Sequence, residues 1–173
     1  SSAAVPVQSL TAGAIWTGPH NLCARVDANL VCWGSDEDYN LGRGNTIDLS
    51  LTEIGEPVIV SPNLGPLENV VDVAIGWRHV CATTSAGDLY CWGNGEGFRL
   101  GGGGDNSAGR AALIQTGDGN PFTRVATSQT HMASFKPLTC ASRQNGEAFC
   151  FGTSDQSLLR DGEVEAQTPY DAR

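Results

Sequence analysis

Six cysteines and three histidines are the residues of this 173-residue chain best suited to chemistry. The cysteines fall into three local pairs, Cys23 with Cys32, Cys81 with Cys91 and Cys140 with Cys150, at separations of 9, 10 and 10. Zinc sites favour two cysteines about two to four residues apart with a second cluster elsewhere, and these spacings do not fit. A thiol nucleophile needs an unpaired cysteine beside a base, and every cysteine here has a local mate. Disulfides in an oxidising compartment are the expected reading, with buried reduced thiols as the alternative. His20, His79 and His131 each precede a cysteine pair. Recurrence points to a structural role repeated once per unit, such as tying a loop by hydrogen bonds.

The elements that position these residues repeat. Cys32, Cys91 and Cys150 are 59 residues apart, as are Trp33, Trp92 and Phe151, and Gly34, Gly93 and Gly152. Leu41, Leu100 and Leu159 keep the same period, and so do Gly44, Gly103 and Gly162. A fixed period of this length marks an array of supersecondary units, none of which buries its apolar face alone.

Each unit reads as a β-hairpin with flanking strands. Cys81–Thr84 and Asp88–Trp92 flank Ser85-Ala86-Gly87, and Cys140–Arg143 and Glu147–Phe151 flank Gln144-Asn145-Gly146. A three-residue loop ending in Gly suits a hairpin, because Gly accepts the left-handed conformation. The first copy is one residue shorter and closes through Asp27-Ala28. Pairing Thr84 with Asp88 across the loop makes hydrogen-bonded and non-hydrogen-bonded pairs alternate outward. Cys81 then faces Cys91 in a non-hydrogen-bonded pair, and the same count sets Cys23 opposite Cys32 and Cys140 opposite Cys150. That pair type brings side chains closest, within a disulfide's reach. Each such bond closes a short loop, worth about 2–3 kcal/mol in the chain-entropy model.

Upstream strands are predicted at Leu10–Ile15, Val70–Ile75 and Phe122–Ala126, and further short strands at Glu56–Val60, Arg110–Ile114 and Thr168–Tyr170. Four short strands per unit is the arithmetic of a propeller blade. The expectation is an all-β chain of three four-stranded propeller-type blades, approximately 5–57, 58–112 and 113–173, within one domain. Three blades form an incomplete propeller, completed by oligomerisation or by another part of a longer chain.

The run Val73-Ala74-Ile75-Gly76-Trp77-Arg78-His79-Val80-Cys81-Ala82, then Gly87 to Asn94, then Leu100-Gly101, resembles the repeat of the regulator of chromosome condensation family. The resemblance covers nearly the whole chain and is most specific in the second repeat. It implies β-propellers, typically of about seven blades. The cysteine-bearing variant resembles repeats of secreted proteins, many of them bacterial. The family usually has Gly-Gln just before the Leu-Gly, where this chain has Tyr39-Asn40, Phe98-Arg99 and Ser157-Leu158. The third repeat also inserts residues between His131 and Cys140. These departures bear on the family's binding functions more than on the blade.

The net charge is −9. An acidic surface repels phosphate backbones, so nucleic acid is not an expected partner. No apolar run approaches membrane-spanning length. Asp36-Glu37-Asp38 and Asp118-Gly119-Asn120 offer oxygen ligands for calcium but complete no known calcium loop. Gly101–Gly104 lacks the Lys-Ser/Thr of a phosphate cradle and reads as a surface loop. No catalytic residue, metal or cofactor is expected.

What breaks the repeat is aromatic, glycine-rich or inserted: Tyr39, Trp77-Arg78, Phe98-Arg99, Gly101–Gly104 and Phe135-Lys136-Pro137. Aromatics and arginine are typical of contact surfaces. Tyr39, Trp77, Arg78, Phe98 and Arg99 are therefore the candidate binding residues. The expected function is a non-enzymatic, secreted (extracellular or periplasmic) structural or binding module. Its partners would be proteins, either copies of itself or other chain segments. The alternative is a secreted inhibitor or ligand-binding propeller acting through the same loops. An enzyme lacks a non-repeated titratable cluster, and nucleotide exchange, the activity of the family's name-giver, fits an acidic disulfide-bonded segment least.

Overall fold

The computed structural model describes residues 12–44, 57–61, 65–102, 106–114, 119–129 and 138–152. Expectations for His131, Phe135-Lys136-Pro137, Asp118 and the strand at Thr168–Tyr170 lie outside these residues.

The fold is all-β. The first sheet holds β1 (Ala14–Thr17), β2 (Asn21–Val26) and β3 (Asn29–Gly34) in sequence order. A short pair, β4 (Ile59–Ser61) and β5 (Gly65–Pro66), follows. The second sheet is a complete four-stranded meander: β6 (Val70–Ile75), β7 (His79–Thr84), β8 (Leu89–Gly93) and β9 (Ala108–Ile114). The third holds β10 (Phe122–Thr127), β11 (Leu138–Arg143) and β12 (Ala148–Gly152).

The hairpin register follows the loops. The Thr84 amide donates to the Asp88 carbonyl at 3.0 Å, and that of Arg143 to Glu147 at 2.8 Å. Gly87 and Gly146 close these loops at φ 89° and 90°, the region Gly enters without a Cβ penalty. Cys23 pairs with Cys32, Cys81 with Cys91 and Cys140 with Cys150. All three pairs are disulfides with Cα–Cα distances of 4.1 Å.

The blades differ in how regular their outer strand is. Only the second blade shows four strands in one sheet among the described residues. In the first, the outer position is filled irregularly: Pro57 bridges Val31, the Val58 amide donates to Leu30 O, and the Leu30 amide donates to Leu67 O. Proline has no amide to donate, so a regular ladder cannot run through Pro57. Val58 and Leu67 are hydrogen-bonded to β3, and β9 runs on to Ile114 beside β8.

The blades pack face to face. Cys23, Leu30, Cys32, Leu41 and Val58 of the first meet Val73, Ile75, Val80, Ala82 and Trp92 of the second. Cys81, Leu89, Cys91 and Leu100 of the second meet Phe122, Val125, Ala141 and Phe151 of the third. Each of the first two disulfides thus lies on its blade's forward face, against the aromatic residue of the next blade. The inner strands β1 and β10 flank β6. They border a cleft of about 400 Å³ whose lining, from Ile15 to Gln129, has no titratable side chain.

Candidate functional site

The first two blades each place a loop between their inner two strands and a turn after their third strand on the same edge. The turn Tyr39-Asn40-Leu41-Gly42 follows β3, and Phe98-Arg99-Leu100-Gly101 follows β8. Tyr39 has φ 62° and Phe98 φ 57°. A bulky residue in the left-handed region is an outlier costing about 1–2 kcal/mol. These are the positions where a glycine is expected by resemblance, and the backbone keeps the glycine conformation although the side chain is aromatic. Both side chains are half-buried.

Gly42 (φ 68°) and Gly101 (φ 70°) are glycine for a second reason. A Cβ at Gly42 would lie 2.8 Å from Val58 Cγ1 and 3.0 Å from Trp92 Nε1, and one at Gly101 2.8 Å from the Phe151 ring. The Leu-Gly turn therefore sits directly on the aromatic residue of the next blade. Gly101 is buried there, so it does not belong to the surface loop expected of Gly101–Gly104, of which Gly103 and Gly104 lie outside the described residues.

The backbone carbonyl of that turn receives one hydrogen bond from the following blade, by two different routes. Trp92 Nε1 donates to Asn40 O at 2.9 Å. One period later the aromatic residue is Phe151, which has no N–H, and Thr139 Oγ1 donates to Arg99 O at 2.8 Å instead. Val80 and Trp92 are cross-strand partners, and so are Thr139 and Phe151. The donor has moved across one strand pair while the bond is retained.

His79 completes this second arrangement. It is 1 % exposed, and its Nε2 lies 2.8 Å from Thr139 Oγ1. The hydroxyl commits its proton to Arg99 O, so Nε2 carries the hydrogen and donates. Burial, with a smaller contribution from the Arg99 charge, lowers the His79 pKa from 6.5 to about 3. The imidazole is neutral and serves as a latch between the second and third blades. His20 does something else. The residue one period before Thr139 is Val80, which accepts nothing, and exposed His20 stands edge-on to Trp77 with centroids 4.3 Å apart.

Arg78 bridges the first two blades. Its Nε and Nη2 donate to the two Asp38 carboxylate oxygens at 2.7 and 2.6 Å, and Asn94 Nδ2 donates to Asp38 at 3.3 Å. Its other nitrogen stands 3.6 Å from Glu96, and the Arg78 side chain remains 40 % exposed. The hydrogen bond to Asp38 is the largest cause of its raised pKa. Arg99, expected in a contact surface, is 7 % exposed. Its Nε donates to Glu96 O and its Nη2 lies 3.7 Å from the Glu96 carboxylate, so it stiffens the turn from beneath and is not part of the outer surface. Sequence reasoning places Tyr39, Trp77, Arg78 and Phe98 at the blade edge but misses Asp38, Glu96 and Thr139. The acid at 38 reads in sequence as a possible calcium ligand, yet its carboxylate is held by Arg78, and Asp36 Oδ1 accepts the Leu41 amide at 3.0 Å. Among the described residues no group of three His, Cys, Asp or Glu side chains is placed to hold a metal, and no helix is long and apolar enough to cross a membrane.

Comparison with known proteins agrees with this geometry. Two models described as regulator of chromosome condensation (RCC1) repeat match residues 27–83 and 70–97. The human E3 ubiquitin-protein ligase HERC2 is 30% identical over 153 residues, which is 84% of this chain and 3% of that protein. Protein pim1 of Schizosaccharomyces pombe is 33% identical over 100 residues, 55% of this chain and 18% of its own. Among solved structures, yeast RCC1 (Prp20) bound to Kap60 aligns with a TM-score of 0.67 at 21% identity, covering 92% of this chain and 36% of that one. Human WBSCR16 gives 0.65 at 20%, covering 90% and 37%. The chain thus spans a little over a third of the solved propellers and a small part of the curated relatives. Its fold is that of consecutive propeller blades, and the chain is built of repeats of the regulator of chromosome condensation family.

Proposed function

We propose that this chain is a non-enzymatic, extracellular binding module, a section of a larger propeller that engages protein through the edge formed by Tyr39, Trp77, Arg78 and Phe98. The observation that carries the reading is the pair of aromatic residues at φ 62° and 57°. Glycine there would be free of strain, so retention of an aromatic side chain at both positions points to a use outside the fold. Trp77, half-buried, and Arg78 extend the same edge. The yeast relative bound to Kap60 supports protein as the class of partner. The three disulfides support an oxidising location. The absence of catalysis is supported by how the titratable groups are used: His79 is a neutral buried latch, and Arg78, Asp38 and Glu96 hold one another.

Quantitative affinity capture tests this. The chain and its Tyr39→Gly/Phe98→Gly/Trp77→Ala variant are used as baits on the extracellular fraction of the source cells. A protein retained saturably by the first and lost at least tenfold by the second is the expected result. Identical captured sets would refute the contact edge.

A further inference from the structure

A second cleft opens between the first two blades, at the edge opposite Tyr39 and Phe98. It lies beside the β7–β8 hairpin loop, whereas Trp77 and Arg78 belong to the β6–β7 loop at the other end of the same strands. Its volume is about 310 Å³, at the small end of the roughly 300–1,000 Å³ of ligand sites. One wall is the link from β5 into β6, with Pro66, Glu68 and Asn69, and the other is the hairpin loop with Thr84, Ser85 and Asp88, continued by Tyr90 of β8. The walls are tied together. The Ser85 amide donates to Asn69 O at 2.9 Å, and the Asn69 amide donates to Ala28 O at 2.8 Å. The cleft is therefore formed before anything enters it.

The lining mixes acceptors with donors and an apolar wall. Glu68 and Asp88 supply carboxylate acceptors, and Asn69 an amide that both donates and accepts. Thr84 is 6 % exposed; its oxygen takes the Asp88 amide at 3.3 Å, while its proton meets no acceptor among the described residues. Burial, and then the Asp88 charge, raise the pKa of half-buried Tyr90, so the phenol keeps its proton as a second donor. Leu113 stands across from Tyr90 in register and is 42 % exposed, which extends the aromatic wall. No lysine, arginine or histidine lines the cleft. An anion would therefore meet two carboxylates and no cation. An amine or guanidinium would satisfy the carboxylates but accept nothing from the Thr84 and Tyr90 hydroxyls. A sugar hydroxyl both donates and accepts, and the C–H face of a sugar ring packs on an aromatic face. We infer that this cleft binds an uncharged mono- or disaccharide, its hydroxyls bonded to Glu68, Asp88 and Thr84 and a ring face laid on Tyr90.

Titration of the isotopically labelled chain, followed by amide chemical shifts, tests this with cellobiose, lactose, mannobiose and chitobiose, and with arginine amide as the cationic comparison. Saturable shifts of the Asn69, Ser85 and Asp88 amides with at least one of the sugars, and none with arginine amide, are expected. Glu68→Gln and Tyr90→Leu are each expected to weaken that sugar at least about tenfold, and Tyr90→Phe, which keeps the ring, by about threefold. Unchanged amide shifts at Trp77 and Phe98 show that a variant is folded, and Glu68→Gln, altered at an exposed side chain, decides if Tyr90→Leu is not. Absence of saturable shifts with all of the sugars overturns the inference. So do shifts with arginine amide alone, which would make the cleft a cation site, and a sugar affinity that Glu68→Gln leaves unchanged. None of these outcomes touches the Tyr39/Phe98 edge, whose capture experiment is read independently.

Discussion

The buried latch at His79 makes acid stability a sharp test of the packing between the second and third blades. Its pKa is lowered in the folded chain, so the native state resists protonation while the unfolded chain binds a proton near 6.5. Stability from this group is complete above that value and declines as pH falls toward about 3. Moving from about pH 7.5 to about pH 5 crosses roughly one and a half pH units below the unfolded value, at about 1.4 kcal/mol each, so the loss is about 2 kcal/mol. Urea unfolding followed by tryptophan fluorescence, with disulfides intact, measures it. Wild type is expected to lose about 2 kcal/mol more over this interval than His79→Gln, whose amide still donates to Thr139 but does not titrate. Parallel pH curves for wild type and His79→Gln would refute the latch.

Three further outcomes are expected. Trp92→Phe strands the buried Asn40 carbonyl and should cost about 1–3 kcal/mol; adding Val80→Thr, which copies the third blade, should recover roughly 1 kcal/mol of it in a double-mutant cycle. Tyr39→Gly or Phe98→Gly should raise the unfolding free energy by about 1 kcal/mol, the relief of left-handed strain less the backbone entropy of glycine, read as an upward shift in thermal midpoint. Under mild reductant, Cys140–Cys150, which is partly exposed, should open before Cys23–Cys32 and Cys81–Cys91, whose four cysteines are 0 % exposed, as alkylation and peptide mapping would show.

Much of the blade is legible in the sequence because the repeat reports the same geometry three times. The hairpin count sets Cys81 opposite Cys91, since loop length fixes register and register fixes which side chains meet. Strand β6 runs from Val70 to Ile75 as its β-branched residues imply. The less legible parts depend on contacts between repeats. Nothing near Arg99 in the chain shows that its carbonyl meets Thr139. Arg78 reads in sequence only as a contact residue because its partner, Asp38, lies one blade away. The three histidines recur in sequence, but recurrence does not imply a shared role. His79 latches because a threonine faces it, and His20 turns outward where a valine stands. Charge alone also misleads at Asp36 and Asp38, where carboxylates suited to an ion hold an amide and a guanidinium.

The forward-facing disulfides carry a consequence for how such an array is made. Cys23 and Cys32 are closed off by the second sheet, and Cys81 and Cys91 by the third. An oxidant or an isomerase cannot reach sulfur that has no solvent contact. Each of these bonds must therefore form while the next sheet is still undocked. Synthesis from the N-terminus presents the hairpins in that order, and each closes over a span of only 9 or 10 residues. The chain is accordingly stapled and then lidded, one blade at a time. A wrong cross-link can be edited only until its neighbour arrives, so the delay between successive blades sets the interval for proofreading.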